Sequence, residues 1–402
     1  MTYTDAKKQA PLLLKLGKDK SKSKLLVRGQ GVVFFHASSS CKLIFSNSDN
    51  KAGLEVCFTE KGVTCYLKPS GEPLIDDRNS KGLTQVDAAY YWFSLDSQNQ
   101  RLYAGIGEAR IETVIYEYSF LPQTKEITKK YFEELVQVKG EGLEIDKIIR
   151  DPITKKLPLL VKNTEELTMD SIAASTHMPK ANLSLTSQQL YNCISGKQFS
   201  LNTPDFPQFV KAIERSIATP GLWCYERLKQ KATEFSKEKP DEKETYLRIT
   251  LGENNGESPG IPYVMEIWPV GHYSPIHNHG DSDAIIRVLN GSIQVSLYPF
   301  LSTEDILPFA KVNFKKDDIT WISPTLNQVH QLKNLDGNKD TCITIQCYMY
   351  ENSNKDHYDY FDYIDADNQN RPYEPDSDMD FVDFKKQMKK EWAEQKWFKF
   401  FC

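Results

Sequence analysis

The stretch Gly271-His272-Tyr273-Ser274-Pro275-Ile276-His277-Asn278-His279-Gly280-Asp281-Ser282-Asp283-Ala284, continued by Ile285-Ile286-Arg287-Val288-Leu289-Asn290-Gly291, decides how the chain is read. Its second half is an apolar run ending on glycine, the pattern of a strand that turns. Its first half sets two imidazoles two residues apart. On extended backbone, residues i and i+2 point to the same face, so His277 and His279 can serve a single metal ion. A His-x-His pair alone is a weak signal. It gains weight because four of the seven histidines, His272, His277, His279 and His330, fall in this part of the chain.

Outward from this segment the apolar period is that of strands: YLRITL, YVMEIW, AIIRVL, SIQVSLY, ITWI and TCITIQCYMY, from Thr245 onward, separated by Gly and Pro turns. Before them, LTSQQLYNCIS (with Ser187 as N-cap), FPQFVKAIERSI and WCYERLKQKATEF have helical spacing. Helices followed by strands predict a β-barrel with a small helical cap over residues 181–352. Residues 25–122 alternate short apolar runs with turn signals and predict an all-β sandwich. Residues 1–24 read as a lysine-rich lead-in without a fold, 123–180 as a connector, and 353–402 as an acidic aromatic tail ending in a helix packed on its own domain.

Composition narrows the function classes. At 402 residues, two or three domains are expected, since roughly 150 residues make one. Fifty Lys and Arg against 55 Asp and Glu, a net charge of -5, disfavour a general binder of nucleic acid or anionic lipid. No run approaches the ~20 apolar residues that span a bilayer, and the N-terminal stretch does not read as a signal peptide. The eight cysteines lack CxxC pairs, which excludes zinc-finger and thioredoxin motifs and predicts reduced thiols in the cytoplasm.

The runs VFFHASSSCKLIFSN, LEVCFTEKGVTCYLK and YYWFSLDSQNQRLYAGIGEA resemble the domain first described in farnesoic acid O-methyltransferase, which implies a β-sandwich module. Methyltransferase activity is not implied here, because Gly105 and Gly107 read as a strand and a turn rather than a nucleotide-binding loop. His36 reads as an ordinary strand residue, and the ligand of the module is left open.

Gly271 stands six residues before His277 and Gly291 twelve after His279, and the later segment PTLNQVHQLKN runs from Pro324 through His330 to Asn334. This frame resembles the two cupin motifs, G-x5-H-x-H-x(3,4)-E-x6-G and P-x-G-x2-H-x3-N, and implies a jelly-roll barrel. The fold class expected is therefore mainly β, a β-sandwich followed by a cupin barrel with a helical cap. Three departures stand out: the Pro is one residue further from the His, Asn327 replaces the second motif's Gly, and the Glu of the first motif is missing. Its two permitted positions hold Asp283 and Ala284.

Within cupins, three histidines without the carboxylate resemble the thiol dioxygenases, and GHYSPIHNHGDSDAIIRVLNGSI is similar to the cysteine dioxygenase segment. That resemblance implies Fe(II) held by His277, His279 and His330, with L-cysteine and O2 as substrates and cysteine sulfinate as product, a step of cysteine catabolism and taurine biosynthesis. It assigns Arg248 to the substrate carboxylate, Tyr246 to substrate binding, and Tyr348 to the phenol near the iron, with Tyr350 as its alternative. A forked guanidinium suits a carboxylate, at roughly 1.5–3 kcal/mol for such a charge-assisted bond. His272, Gln346 and Thr344 fall in the surroundings of the metal, Gln346 and Thr344 standing for the His and Ser of the family's relay. Ala284 replaces the cysteine that crosslinks to the tyrosine, so no thioether can form there.

Other readings remain open at this level. The thiol could be 3-mercaptopropionate or a relative, the barrel could be a catalytically idle binding module, or Asp283 could complete a two-histidine, one-carboxylate triad. The partners expected are a small thiol and O2, with no nucleic acid and no membrane span.

Overall fold

A computed structural model describes residues 12–49, 53–68, 70–74, 81–84, 86, 89–120, 131–154, 156–235, 239–252, 263–304, 306–349, 361–373 and 376–401. The chain divides into two compact units, 1–156 and 157–402. Both are built from β-sheets, so the mainly β expectation holds. Among the described residues no helix is long and apolar enough to cross a membrane, and the seven described cysteines are free thiols.

The first unit is a sandwich of two six-stranded antiparallel sheets. One runs in the order Leu13–Lys15, Glu144–Ile149, Gln30–His36, Tyr91–Asp96, Arg101–Ile106 and Val114–Ser119. The other runs Lys22–Lys24, Gln137–Glu141, Cys41–Ser46, Gly53–Thr59, Gly62–Lys68 and Pro73–Leu74. Aromatic rings from the two sheets interlock between them: Phe35 meets Phe58 edge-on at 4.9 Å and Phe45 lies 5.4 Å from Phe93.

Two sequence boundaries need correction here. The lead-in is not without structure over its described part, since Leu13–Lys15 and Lys22–Lys24 pair into the sheets. Both are edge strands, where outward lysines are an asset that blocks further pairing, so a like-charged run is compatible with a strand. The connector also supplies two sandwich strands, Gln137–Glu141 and Glu144–Ile149. The connector residues 123–130, like the start of the lead-in, lie outside the described residues.

The second unit is a double-sheet jelly roll. Its first sheet runs Ile319–Ile322, Asp283–Asn290, Cys342–Met349, Tyr263–Trp268, Leu247–Gly252 and Met379–Asp380, the last pair parallel and the others antiparallel. Its second runs Ala310–Lys315, Ser292–Leu297, His330–Lys333, Ile276–His277, Phe361–Ile364 and Asn370–Tyr373. The last two strands come from the stretch read as a tail. Phe361-Asp362-Tyr363 alternates aromatic-in and acid-out, so it fits a sheet with one buried face.

The period of two sorts the first sheet into two faces. Leu247, Ile249, Met265, Ile267 and Ile343 pack outward under helices Phe209–Ala218, Trp223–Gln230 and Phe381–Phe401. Ile285, Ile345 and Cys347 pack outward under helix Leu185–Ile194. That helix is capped by Ser184 rather than Ser187; Ser184 Oγ accepts from the Ser187 amide at 3.0 Å. Both hydroxyls donate to Asp283, at 3.0 and 2.6 Å, while Arg287 donates to the carbonyls of Ile194 and Gly196 at the far end. An acid at the N-terminus and a base at the C-terminus complement the helix dipole. The alternate residues Arg248, Glu266, Gln346 and Tyr348 face inward.

Candidate metal centre

His277 and His330 are direct cross-strand partners, and His279 follows two residues beyond His277 on the same face. The three rings have centroids 4.8–4.9 Å apart, and one nitrogen from each lies within 4.8 Å of the others. His277 Nδ1 stands 3.1 Å from the carbonyl of Pro275 and His330 Nδ1 stands 3.1 Å from that of Asn327. A carbonyl only accepts, so each Nδ1 carries the hydrogen and each Nε2 keeps a lone pair for a cation. His279 Nε2 faces His330 Nε2 at 3.2 Å, and its own Nδ1 is buried without a partner.

Burial first, then the neighbouring Arg248 charge, pushes the His277 imidazole down to about 4. Burial, then the charge of His277, takes His330 down to about 3, and burial with the other two rings holds His279 well below the ordinary value. All three are therefore neutral at physiological pH, the form a metal needs. At 3.2 Å the two facing Nε2 atoms are spaced so that they can share one proton or one cation. Imidazoles ligating one ion at about 2.0–2.1 Å stand roughly 3–4 Å apart, so the donor set fits a divalent transition metal.

Asn327 explains how the second motif survives the loss of its glycine. Its φ of 62° is left-handed, a conformation asparagine tolerates better than other residues with a Cβ. Its carbonyl orients His330, and its amide donates to the Trp321 carbonyl at 2.9 Å. Asn334 is a brace: its amide donates to the carbonyls of Trp268 and Asp340, at 2.8 and 3.1 Å.

The histidines open on a cavity of about 60 Å³ lined by Arg248, Glu266, Gln346, Tyr246, Tyr348 and an aromatic wall that includes Trp268, Phe361 and Tyr373. Arg248 Nη1 donates to Glu266 Oε1 at 3.0 Å, with both side chains about 5 % exposed. Burial raises the Glu266 carboxyl while the Arg248 charge opposes the rise, and the guanidinium is itself raised by Glu266. Tyr246 stacks on Trp268 at 4.2 Å, and Tyr348 stacks on His279 at 5.5 Å. Burial raises the Tyr348 phenol well above its ordinary value, so it stays protonated.

Not every sequence candidate reaches the cavity. His272 lies apart from the triad, its Nδ1 against Thr245 at 3.0–3.1 Å. Thr344 is buried opposite Glu266 in the ladder but does not line the cavity. Ala284 is the cross-strand partner of Tyr348 and is fully buried, so a methyl faces the space beside the phenol ring. Tyr350 and the loop ENNGESPG lie outside the described residues. Asp283 points to the outer face and caps a helix, which removes it as a metal ligand.

Sequence reasoning missed Glu266, Phe361 and Tyr373. Glu266 carried a signal, a lone carboxylate inside the apolar strand YVMEIW that needs a buried cation.

No family model matches the chain. Among solved structures it is similar to the cupin domain of Schizosaccharomyces pombe Cnp3, at 15% identity over 26% of this chain and 65% of that one, with a TM-score of 0.21. It is also similar to a cupin superfamily protein from Desulfitobacterium hafniense, at 12% identity over 27% and 79% of the two chains, TM-score 0.20. L-ribose isomerase of Cellulomonas parahominis matches at 14% identity over 26% and 60%, TM-score 0.22. The chain thus spans less than two thirds of the first and last of these. Likenesses at such scores carry no weight for substrate or reaction.

Proposed function

We propose that the second unit is a non-haem Fe(II) thiol dioxygenase whose substrate is L-cysteine. The observation that carries the reading is three neutral, converging imidazoles with no carboxylate among them, beside a buried guanidinium. Three neutral ligands leave a bound cation its full charge, which favours a thiolate partner. Bound iron would supply the redox chemistry by which both atoms of O2 add to the thiol sulfur, R–SH plus O2 giving R–SO2H, with no external electron donor.

The chain's own residues have separable tasks in this reading. Arg248 spends one N–H on Glu266 and keeps others for a substrate carboxylate. Tyr348, held protonated by burial, offers an O–H to oxygen or sulfur beside the histidines. Tyr246 on Trp268 forms an apolar wall that excludes water and strengthens each polar contact.

The test is anaerobic loading with Fe(II), then L-cysteine and O2. One cysteine sulfinate per O2 consumed is expected. Stoichiometric iron with no O2 uptake sinks the proposal. Ala284 opposite Tyr348 and Gln346 in place of a histidine favour a second reading, an idle cupin that binds without turnover. An iron spectrum that does not change when thiol is added would support it.

A further inference from the structure

A second cavity, of about 720 Å³ against about 60 Å³ at the histidines, lies within the jelly-roll unit and shares no lining residue with the metal centre. Its size is that of a pocket for a small organic ligand, roughly 300–1,000 Å³. Lys162 reaches it from the strand Val161–Lys162, Lys197 from just beyond helix Leu185–Ile194, and Lys316 from the turn between Ala310–Lys315 and Ile319–Ile322. None of these three ammonium groups has an ion-pair or hydrogen-bond partner among the described residues. The acids of the wall are engaged differently. Asp317 accepts from Arg287 Nη2 at 2.9 Å, Asp318 accepts from the Lys315 amide at 2.9 Å within its own turn, and Glu166 stands exposed. Arg287, Lys162, Lys197 and Lys316 thus face three carboxylates, an excess of one positive charge before a ligand enters. His177 adds none, because burial and then the Lys162 charge hold its imidazole below the ordinary value. Arg287 is 8 % exposed and its Nε is buried without a partner, so the wall also holds an unmet donor. Beside the charges lies an apolar floor that includes Phe199, Leu201, Val210 and Leu289.

We propose that this cavity binds a small phosphate monoester with a ring-bearing body, of the size of a mononucleotide. The phosphoryl group accepts from Lys162, Lys197 and Lys316, and the ring lies on the apolar floor. A phosphomonoester carries about −1.5 to −2 charge at neutral pH and three strong acceptor oxygens, which matches three unpaired ammonium groups better than the single charge and two oxygens of a carboxylate. Lysine holds phosphate as a point charge on a flexible stem, so no fixed fork is needed. The excess positive charge attracts an anion, and the free ammonium groups, rather than the paired Arg287, are left to hold it. A bare phosphate would leave the floor wet, whereas a ring removes that apolar surface from water. This site goes beyond the reading of the metal centre and does not depend on it.

The experiment is titration calorimetry on the full, metal-free chain with adenosine 5′-monophosphate, inorganic phosphate and adenosine. The monophosphate is expected to bind saturably and about tenfold or more tighter than either part, since it alone uses both the ammonium groups and the floor. Raising salt from about 0.1 to about 1 M should weaken it, because exposed charges are screened. Lys197→Gln combined with Lys316→Gln, both at exposed positions, should weaken the monophosphate about tenfold and leave metal content unchanged. Absence of saturable heat up to millimolar monophosphate overturns the proposal, as does equal affinity for monophosphate and inorganic phosphate; neither comparison needs a variant to fold. Unchanged affinity in the double variant overturns it too, since the ligand would then sit elsewhere, at the histidines included. None of these results touches iron loading or O2 uptake, so failure of this site and failure of the dioxygenase reading are told apart.

Discussion

The two units use paired six-stranded sheets for opposite purposes. In the sandwich the space between the sheets is filled by interlocking rings, Phe35 on Phe58 and Phe45 on Phe93. In the jelly roll it holds an ion pair, an amide, phenols, three imidazoles and a cavity. Both units also bury an outer sheet face, the sandwich around Val32, Phe34 and Trp92 and the jelly roll under helices; what differs is that the jelly roll sets polar groups on the inner face of its first sheet. It carries the cost visibly: Trp268 Nε1, His279 Nδ1 and Thr344 Oγ1 are buried without partners.

The largest effect should come from His279→Ala. Unmodified protein is expected to hold about one divalent ion per chain, and the variant about a hundredfold less tightly, because two imidazoles remain of three. Metal content after dialysis reads this. The sandwich should be untouched, so a shared loss of its unfolding transition would break the contrast between the units.

Next, the ion pair can be turned into a sandwich-like core. Arg248→Met leaves Glu266 buried and unpaired and should cost about 3–5 kcal/mol. Adding Glu266→Leu should restore most of that loss, since apolar replacement of a buried pair is often neutral. Denaturant midpoints of the single and double variants decide it. If the double variant is no better than the single, the inner face depends on charge for its stability as well as for ligand.

How much of this contrast was visible in the sequence follows from the range of the interactions. Period two and turn residues act locally, so both β units and the histidine pair at 277 and 279 could be read directly. His330 needed a motif frame, since its partnership with His277 is a cross-strand pairing more than fifty positions apart. Glu266 was passed over because its meaning depends on Arg248 in the adjacent strand, and register is not written in either strand alone. Phe361 and Tyr373 were hidden by an acidic composition that outweighed their alternation. The helix cap moved from Ser187 to Ser184 for a similar reason: Asp283, which holds both hydroxyls, lies about a hundred residues away.

Acid and base should shift the units in opposite directions. In the sandwich Glu55 is held down to about 2 by hydrogen bonds from Lys42 and Lys68, against the effect of burial. Its contribution is present above its ordinary range of 4.5 and lost as pH falls towards 2. In the jelly roll Glu244 is pushed up to about 7, by burial first and then by the charges of Asp241 and Asp365. Folding therefore favours its protonated form, full stability is present below 4.5, and it is lost as pH rises through 7. Glu244→Gln should stabilise the jelly roll by about 1–3 kcal/mol at high pH and change nothing in acid. Thermal unfolding at the two extremes of pH checks this, and an equal gain in acid would rule the cause out.

The smallest effect concerns Asn327, where the jelly roll tolerates a residue that its motif reserves for glycine. Left-handed backbone costs alanine roughly 1–2 kcal/mol and glycine almost nothing. Asn327→Gly keeps the backbone carbonyl that orients His330 and loses the side-chain bond to Trp321. Asn327→Ala loses that bond and strains the turn as well. The alanine variant should therefore be about 1 kcal/mol less stable than the glycine one, with metal affinity of the glycine variant close to that of the unmodified protein. Equal stability of the two variants would mean that the left-handed turn is not what selects the residue here. The asparagine amide, rather than backbone freedom, would then be what keeps His330 aimed at the metal.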